Sequence, residues 1–253
     1  PFSPRIEEYQ NLHQNLWNIN FKNPIGMAAG FDKNAQIATK LSKFGFGFIE
    51  CGTVTPKAQI GNEKPRIFRL EQDQAIINRL GFNNLGADNF AENVSRNAVS
   101  QKNGELILGI NIGKNKDTQD AIKDYSLLLE RFYAKASYIT INISSPNTAN
   151  LRDLQSEDQL DLFLSEIMKH KSRLQDKHAK NIPILLKIAP DLSEQEQEKI
   201  AKTIIKNQID GVIISNTTVA RDLNLKSPTA NSEDLKAGGL SGKPLLEKSN
   251  EVL

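Results

Sequence analysis

The sequence predicts an α/β fold in which strands and helices alternate, and three observations support it. A strand-like segment followed by a helix-like segment recurs roughly every 30 residues, which is typical of βα units. The predicted strands are apolar on both faces, as in parallel sheets that are covered by helices. Each of these strands also ends in a polar cluster, for example GFDK, NIGKN, NISSPN, KIAPD and SNTT.

The polar clusters favour one of the two architectures that these patterns allow. In a (β/α) barrel the carboxyl ends of all strands meet at one rim, which carries the active site. In a doubly wound sheet, polar groups of this kind concentrate at a single switch point instead. We count six strand–helix units where a barrel needs eight, so either the fold is not a barrel or the sequence stops before the barrel is complete.

Runs of β-branched and aliphatic residues, bounded by glycine, proline or polar residues, mark the predicted strands. A short hairpin strand is predicted at 16–21, and two strands at 66–70 and 75–78 form an excursion from the repeat. The six strands of the repeat are predicted at 24–29, 46–54, 106–112, 138–143, 183–188 and 211–215.

Apolar residues at helical spacing mark the predicted helices. Ser193 is a good N-cap with Glu196 at the capping-box position, so a helix is predicted to run from there to about residue 207. The glycine-rich segment 238–242 is predicted to be a loop, and a further helix begins at Pro244. The remaining helices are predicted at 34–44, 87–99, 120–134 and 157–177.

Composition and charge exclude several classes of protein. The chain of 253 residues has a formal net charge of +2, which gives no reason to expect nucleic acid binding. No apolar run approaches the ~18 residues of a membrane-spanning helix. Cys51 is the one cysteine, so no internal disulfide is possible, and we expect it to pack in the core. One cysteine and three scattered histidines do not provide a metal site.

The stretch 138–150, YITINISSPNTAN, joins a buried strand to a dense polar cluster. Pro146 has no N–H group and ends the strand. Within the cluster, Ser145 is the plausible base or nucleophile, although neither a G-x-S-x-G motif nor a nearby histidine supports a hydrolase triad. A neutral serine would need an acidified substrate and a proton acceptor, such as a water held by Thr148. The alternative is a turn that satisfies its own backbone.

Lys187 lies inside an apolar strand, between Leu186 and Ile188. A buried ammonium needs a partner, and no acidic residue follows before Asp191, so an external anion such as a carboxylate, a phosphate or a flavin is expected. The alternative is a lysine that extends to solvent. Five asparagines follow or end strands, where each is either a turn residue or a ligand for a pyrimidine or flavin ring; they are Asn78, Asn111, Asn142, Asn147 and Asn216.

Eight blocks of the sequence together match the pattern of one family. The blocks are NPIGMAAGFDKN, ECGTVTPKAQIGNEKPRIFRL, INRLGFNNLGADN, LGINIGKNKDT, NISSPNT, LLKIAPDLS, DGVIISNTT and GGLSGKPL. They resemble class 2, quinone-linked dihydroorotate dehydrogenase, and the resemblance covers residues 21–253 in order. It implies a (β/α)8 TIM barrel that holds FMN and oxidises dihydroorotate to orotate in pyrimidine biosynthesis, with a quinone as electron acceptor.

The resemblance also implies roles for individual residues. Ser145 would be the catalytic base that takes the C5 proton of dihydroorotate. Lys187 would supply positive charge near the N1/O2 edge of the flavin. The implied flavin contacts are Ala29, Gly30, Phe31, Asp32, Lys33, Thr53, Asn111, Asn142, Lys187, Ser215 and Gly242. The implied substrate contacts are Lys33, Asn78, Arg79, Leu80, Gly81, Phe82, Asn142, Asn147, Asn216 and Thr217.

Compared with the family pattern, the sequence is expected to cover about six of the eight strand–helix units. The family continues with strands that bind the FMN phosphate, so a protein ending at Leu253 is expected to bind FMN poorly. Residues 1–20 are expected to be an entry segment that retains the tail of a membrane-associating region, and 21–253 the FMN-binding barrel. The family implies peripheral association with the cytoplasmic face of the bacterial inner membrane, or with the inner mitochondrial membrane in a eukaryote.

Two other functions stay open on the residues alone. Lys187 could act as a Schiff-base nucleophile in a barrel lyase or aldolase. The asparagine set could instead serve a non-catalytic module that binds a sugar or nucleobase. A class 1 enzyme, linked to fumarate or NAD, is disfavoured by Ser145 and by the CGTVTPKAQIGNEKPRIFRL block.

Overall fold

A computed structural model describes residues 7–104, 106–147, 151–227 and 238–253, without the side chains at positions 99, 157 and 158. Thr148 and the first six residues of the predicted entry segment therefore lie outside the described residues. The chain divides into two compact units. Unit 1 consists of Pro1–Gln59, Asn84–Ile141 and Lys169–Ile184, and unit 2 of Ile60–Asn83, Asn142–Met168 and Leu185–Leu253.

Apart from β11 (Gly239–Gly242), the described strands occur close to their predicted positions. The strands are β1 (Gln14–Leu16), β2 (Ile19–Phe21), β3 (Gly26–Met27), β4 (Phe48–Val54), β5 (Ile67–Leu70), β6 (Ala75–Asn78), β7 (Leu108–Ile112), β8 (Tyr138–Asn142), β9 (Ile184–Lys187), β10 (Gly211–Ile213) and β11 (Gly239–Gly242). The helices are α1 (Ala38–Ser42), α2 (Gly86–Arg96), α3 (Ala98–Lys102), α4 (Ala121–Phe132), α5 (Glu157–His178), α6 (Glu194–Lys206) and α7 (Leu245–Glu251).

The main sheet has six strands in the order β10-β9-β8-β7-β4-β3. The pairs β3–β4, β4–β7, β7–β8 and β9–β10 are all parallel. Every residue of β7 and β8 is buried, which explains why both read as continuous apolar runs. Six sheet strands alternating with helices confirm the prediction of a (β/α) barrel fold with about six of its eight units.

Helices α2 and α4 each bury a phenylalanine on the face that their sequence periodicity predicts. In unit 1, Phe90 of α2 and Phe132 of α4 are fully buried and meet edge to face, with ring centroids 5.2 Å apart. In unit 2, Ser193 caps α6, and the predicted capping box with Glu196 is present in both directions. The periodic patterns therefore position the helices correctly, although some predicted ends are displaced.

Helix α1 begins at Ala38 rather than near residue 34 as predicted. The Asp32 carboxylate accepts hydrogen bonds from the amides of Gln36 (2.8 Å) and Ile37 (2.9 Å), and Ala35 has a φ of 55°. A left-handed residue cannot belong to a right-handed helix, so the turn that Asp32 closes delays the helix start.

We expect Asp32→Ala to lower the free energy of unfolding by about 1–2 kcal/mol, because two amides lose a charged acceptor. Asp32→Asn keeps one oxygen acceptor, so its effect should be smaller. Urea titration followed by circular dichroism measures both. A stability of Asp32→Ala equal to that of the parent chain would contradict the role assigned to this carboxylate.

Residues 239–242 were predicted to be a loop, and this prediction is wrong. They form β11, which pairs antiparallel with β6, from Gly239 opposite Asn78 to Gly242 opposite Ala75. A Cβ atom at Gly239 would lie 2.0 Å from Thr217 Oγ1, so glycine permits a close approach here. The glycines that suggested a loop are thus required by a crowded strand.

Candidate active site

In unit 1, a buried polar cluster surrounds Glu50 of β4, which is 4% exposed. Its Oε1 accepts a hydrogen bond from Asn111 Nδ2 at 2.8 Å. Its Oε2 accepts hydrogen bonds from Thr140 Oγ1 at 2.9 Å and from the Tyr138 hydroxyl at 3.1 Å. Burial, together with the charge of Glu50, raises the pKa of Tyr138 well above its ordinary value, which keeps the phenol protonated as a donor.

The Glu50 cluster fixes the orientation of Asn111, one of the predicted flavin ligands. With Nδ2 bound to Glu50, Asn111 Oδ1 faces Thr53 Oγ1, which donates to it at 2.5 Å. Two predicted flavin contacts, Thr53 and Asn111, are therefore in direct contact. Sequence reasoning did not identify Glu50, although an acidic residue inside an otherwise apolar strand was an available signal.

The segment 29–33, also predicted to contact flavin, follows β3 and bonds to β4. Gly30 N donates to Gly52 O at 2.8 Å, and Gly52 N donates to Asp32 O at 3.1 Å. Gly30 has a φ of 110°, and Phe31 is 64% exposed. Nearby, burial and then the charge of Asp32 raise the pKa of the Cys51 thiol, so Cys51 is a core residue and not a thiolate.

In unit 2, the polar cluster after β8 is a turn closed by Asn142. Asn142 Oδ1 accepts hydrogen bonds from the Ser144 amide at 3.2 Å and from Ser144 Oγ at 2.9 Å. Asn216 Nδ2, from the segment after β10, donates to the same Ser144 Oγ at 3.0 Å. The Asx turn considered as the alternative is thus present, and it also places three polar side chains together.

Ser145 follows this turn and is 5% exposed. Its Oγ accepts a hydrogen bond from the Asn147 amide at 3.2 Å. Among the residues that the structure describes, the hydroxyl has no further hydrogen-bond partner. Its proton is therefore not committed to a protein acceptor within this part of the chain.

Asn147 brings the segment after β8 to the predicted substrate contacts after β6. Its Nδ2 lies 3.3 Å from Asn78 O and 3.4 Å from Asn78 Oδ1, both of which accept hydrogen bonds from it. Asn147 Oδ1 is buried and has no hydrogen-bond partner in the described chain. A buried acceptor without a donor is costly, so this oxygen fits a ligand that carries an N–H group.

Lys187 ends β9 and is 9% exposed, with Ile213 of β10 beside it in the parallel pair. Within the described residues its ammonium makes no hydrogen bond or ion pair. Asp191, the nearest acidic residue after it in the sequence, pairs with Arg152 instead, at 2.9 Å between Nη1 and Oδ2. An external anion as the partner of Lys187 therefore stays a prediction.

The other predicted residues of unit 2 lie on neighbouring segments. Thr217 N donates to Asn216 Oδ1 at 2.8 Å, and Ser215 Oγ donates to Asn216 O at 3.0 Å. Gly242, at the end of β11, has a φ of 101°. The segment 79–82 leaves β6 through two left-handed residues, Gly81 and Phe82. All predicted substrate contacts except Lys33 belong to unit 2.

Comparison with known proteins identifies the family. The sequence model described as dihydroorotate dehydrogenase matches residues 11–253. The chain belongs to the dihydroorotate dehydrogenase family. Dihydroorotate dehydrogenase (quinone) of Vibrio atlanticus is 50% identical over 253 residues, which cover 98% of this chain and 71% of that protein. The enzyme of the same name from Bartonella tribocorum is 51% identical over 244 residues, which cover 96% of this chain and 65% of that protein.

Solved structures of dihydroorotate dehydrogenases confirm the fold. The crystal structure of the Eimeria tenella protein in complex with ferulenol superposes with a TM-score of 0.93 and is 38% identical, covering 100% of this chain and 70% of that one. The ligand-free form from the same organism gives a TM-score of 0.90. In the part of this family member that the structure describes, we find no helix with the length and apolar character needed to cross a bilayer.

Proposed function

We propose that this chain carries out the dihydroorotate dehydrogenase reaction, oxidising dihydroorotate to orotate in pyrimidine biosynthesis. The proposal rests on the family and on its relatives named dihydroorotate dehydrogenase (quinone). The observation that carries it to this chain is the buried Lys187 ammonium without a described protein partner, in the same unit as the buried Ser145 hydroxyl.

The residues present fit a flavin. A buried ammonium needs negative charge nearby, and the N1/O2 edge of a flavin becomes negative on reduction. We assign Lys187, Asn142, Ser215 and Gly242 of unit 2 to this cofactor. From unit 1 we assign Thr53, Asn111 and the segment 29–33. FMN, when bound, supplies the acceptor for the hydride from C6 of the substrate.

Ser145 is proposed to remove the proton from C5 of dihydroorotate while its own hydroxyl proton passes to a water molecule, the acceptor that a neutral serine needs. That carbon is next to a carbonyl group, so its proton is already acidified, which a weak base such as a serine hydroxyl requires. The Asn147 amide, which donates to Ser145 Oγ at 3.2 Å, orients the hydroxyl. Asn78, Asn147, Asn216 and Thr217 are proposed to bind the substrate, whose N–H and C=O groups match their amide and hydroxyl groups.

A quinone is proposed as the final electron acceptor, because both relatives described above are named for it. A quinone dissolved in a bilayer has to be reached from the membrane surface. We therefore propose peripheral association with the bacterial inner membrane, or with the inner mitochondrial membrane in a eukaryote. Co-sedimentation with vesicles that contain a long-chain ubiquinone tests this part separately.

The function is tested by supplying the purified chain with FMN and dihydroorotate and measuring orotate. Parallel reactions contain a short-chain ubiquinone analogue, fumarate or NAD⁺. We expect orotate with the quinone at a rate far above that with the other two acceptors. Orotate with fumarate or NAD⁺ as the preferred acceptor would overturn the quinone assignment. No orotate with any acceptor, at an FMN concentration that saturates the chain in a fluorescence titration, would overturn the dehydrogenase assignment.

The same preparation distinguishes the lyase alternative. A Schiff-base enzyme would form a borohydride-reducible bond between Lys187 and a carbonyl substrate. The carbonyl groups of dihydroorotate are amides and form no Schiff base, so the probe is a keto acid such as pyruvate. We expect no mass increase on the peptide that contains Lys187 after borohydride treatment with this probe. Trapping of the probe on that lysine would favour the lyase.

A further inference from the structure

Arg152 is a half-buried residue that sequence reasoning did not identify, and its guanidinium bonds to three separate segments of unit 2. Nε donates to Ser144 O at 3.0 Å, and Nη2 donates to Thr217 O at 3.0 Å. Nη1 donates to Asp191 Oδ2 at 2.9 Å. A planar guanidinium holds three such acceptors in one fixed arrangement, which an ammonium group cannot do.

Asp191 extends the same network. Its carboxylate accepts hydrogen bonds from Thr218 Oγ1 and from Val219 N, the latter at 3.0 Å, and Lys248 Nζ lies 3.7 Å from Oδ1. Burial alone would raise the pKa of Asp191, but the bonds from Thr218, Val219 and Arg152 together hold it below the ordinary value. The carboxylate is therefore charged at neutral pH and can hold Arg152.

The residues that this pair holds are adjacent to the proposed catalytic groups. Ser144 precedes Ser145, and Thr217 follows Asn216, so the guanidinium connects the segment after β8 to the segment after β10. Asp191, in the segment after β9, also connects to the segment after β10 through its bond from Val219 N. The bond from Asn216 Nδ2 to Ser144 Oγ, at 3.0 Å, joins the same two segments through their side chains.

We propose that Arg152 and Asp191 are positioning residues that keep the Ser145 hydroxyl in place relative to the substrate-binding side chains of Asn216 and Thr217. The expected effect on dihydroorotate oxidation rests on the proposed function. The claim that the pair holds the two segments in place does not. The competing interpretation is an ion pair that only stabilises the fold. The two interpretations differ in whether a variant that still folds loses activity and gains amide exchange in these segments.

The first test is kinetic and uses Arg152→Lys, Arg152→Gln and Asp191→Asn. We expect kcat for dihydroorotate oxidation to fall about 10–100-fold in Arg152→Gln and Asp191→Asn, as for the loss of other groups that orient reacting residues. Arg152→Lys keeps the charge but not the planar geometry, so it should restore only part of the rate. Because a displaced Ser145 slows proton removal, the isotope effect with C5-deuterated dihydroorotate should rise in these variants.

Two matched controls change ion pairs that make no bond to these segments within the described chain. Arg131→Lys alters the pair of Arg131 with Asp88, which has an N–O distance of 2.6 Å. Asp161→Asn alters the pair of Asp161 with Lys206, at 2.8 Å. Both pairs are exposed, so these variants should keep the kcat and isotope effect of the parent chain.

The second test does not depend on turnover. Amide hydrogen exchange should accelerate about tenfold or more over residues 144–147 and 217–219 in Arg152→Gln and Asp191→Asn, while α5 and α6 keep their protection. Unchanged exchange in both segments would overturn the proposal, and so would a rise spread equally over α5 and α6, which indicates a purely structural role. If the parent chain makes no orotate, the proposed function fails, and the exchange result alone decides whether the pair holds these segments.

Discussion

Ser145→Ala is expected to lower kcat for dihydroorotate oxidation by about 10²–10⁴-fold, which is the usual contribution of a general base. The hydroxyl that accepts the Asn147 amide bond is removed, and alanine fits the buried position without a clash. KM should change much less, because the proposed substrate contacts lie on other residues. Stopped-flow measurement of flavin reduction under anaerobic conditions isolates this step.

Ser95→Ala is the matched control for this substitution. Ser95 lies on α2, where its hydroxyl donates to Ala91 O at 2.8 Å within the helix, so its loss should not affect turnover. Ser145→Cys provides a positive test, since a thiol can also act as a base once it ionises. Its activity should increase with pH as the thiolate forms. A Ser145→Ala variant with the kcat of the parent chain would refute the assignment of Ser145 as the catalytic base.

Lys187→Met is expected to weaken FMN binding by about 10–100-fold, the range for loss of one hydrogen bond to a charged group. In the absence of flavin the same change should leave the free energy of unfolding unchanged or raise it by about 1–3 kcal/mol. The reason is that methionine removes a buried ammonium that no described residue pairs with, while filling similar space. Fluorescence titration with FMN and urea unfolding of the flavin-free chain measure the two effects.

Weaker FMN binding without a loss of stability would distinguish a residue that binds the cofactor from one that supports the fold. Lys180 offers a comparison, because its ammonium has a protein acceptor, the Ala136 carbonyl oxygen, at 2.9 Å. Desolvation lowers the pKa of Lys180, and the hydrogen bond to Ala136 O is present in the same structure. Lys180→Met should therefore destabilise the chain and leave FMN affinity unchanged. A Lys187→Met variant that is destabilised like Lys180→Met, with FMN bound as before, would show that Lys187 serves the fold.

Local patterns predicted those parts of the molecule whose causes are local. The strand runs, the helix periodicities and the capping box of Ser193 and Glu196 depend on residues that are neighbours in the sequence. The expectation that Lys187 takes an anion from outside the protein stays a prediction, and Asp191, the next acidic residue in the sequence, pairs with Arg152. Ser145 and the asparagines remain predicted site residues.

The features that sequence reasoning missed depend on contacts between distant residues. Glu50 is satisfied by donors from β7 and β8, and Arg152 by carbonyls after β8 and β10. Strand β11 was missed because its glycines suit a loop as well as a crowded strand, and only its pairing with β6 decides between them. No periodicity within a short window contains that information.

The central position of β6 in the sheet β11-β6-β5 has a consequence for biosynthesis. Strands β5 and β6 are adjacent in the chain and can pair as soon as both have left the ribosome, whereas Asn78 and its partner Gly239 are 161 residues apart. At translation rates of about 5–20 residues per second, the free edge of β6 waits roughly 10–30 s for its second neighbour. During that interval we expect Ile76 and Ile77 to lie on an open strand edge, which is the kind of edge that pairs with other chains in aggregation.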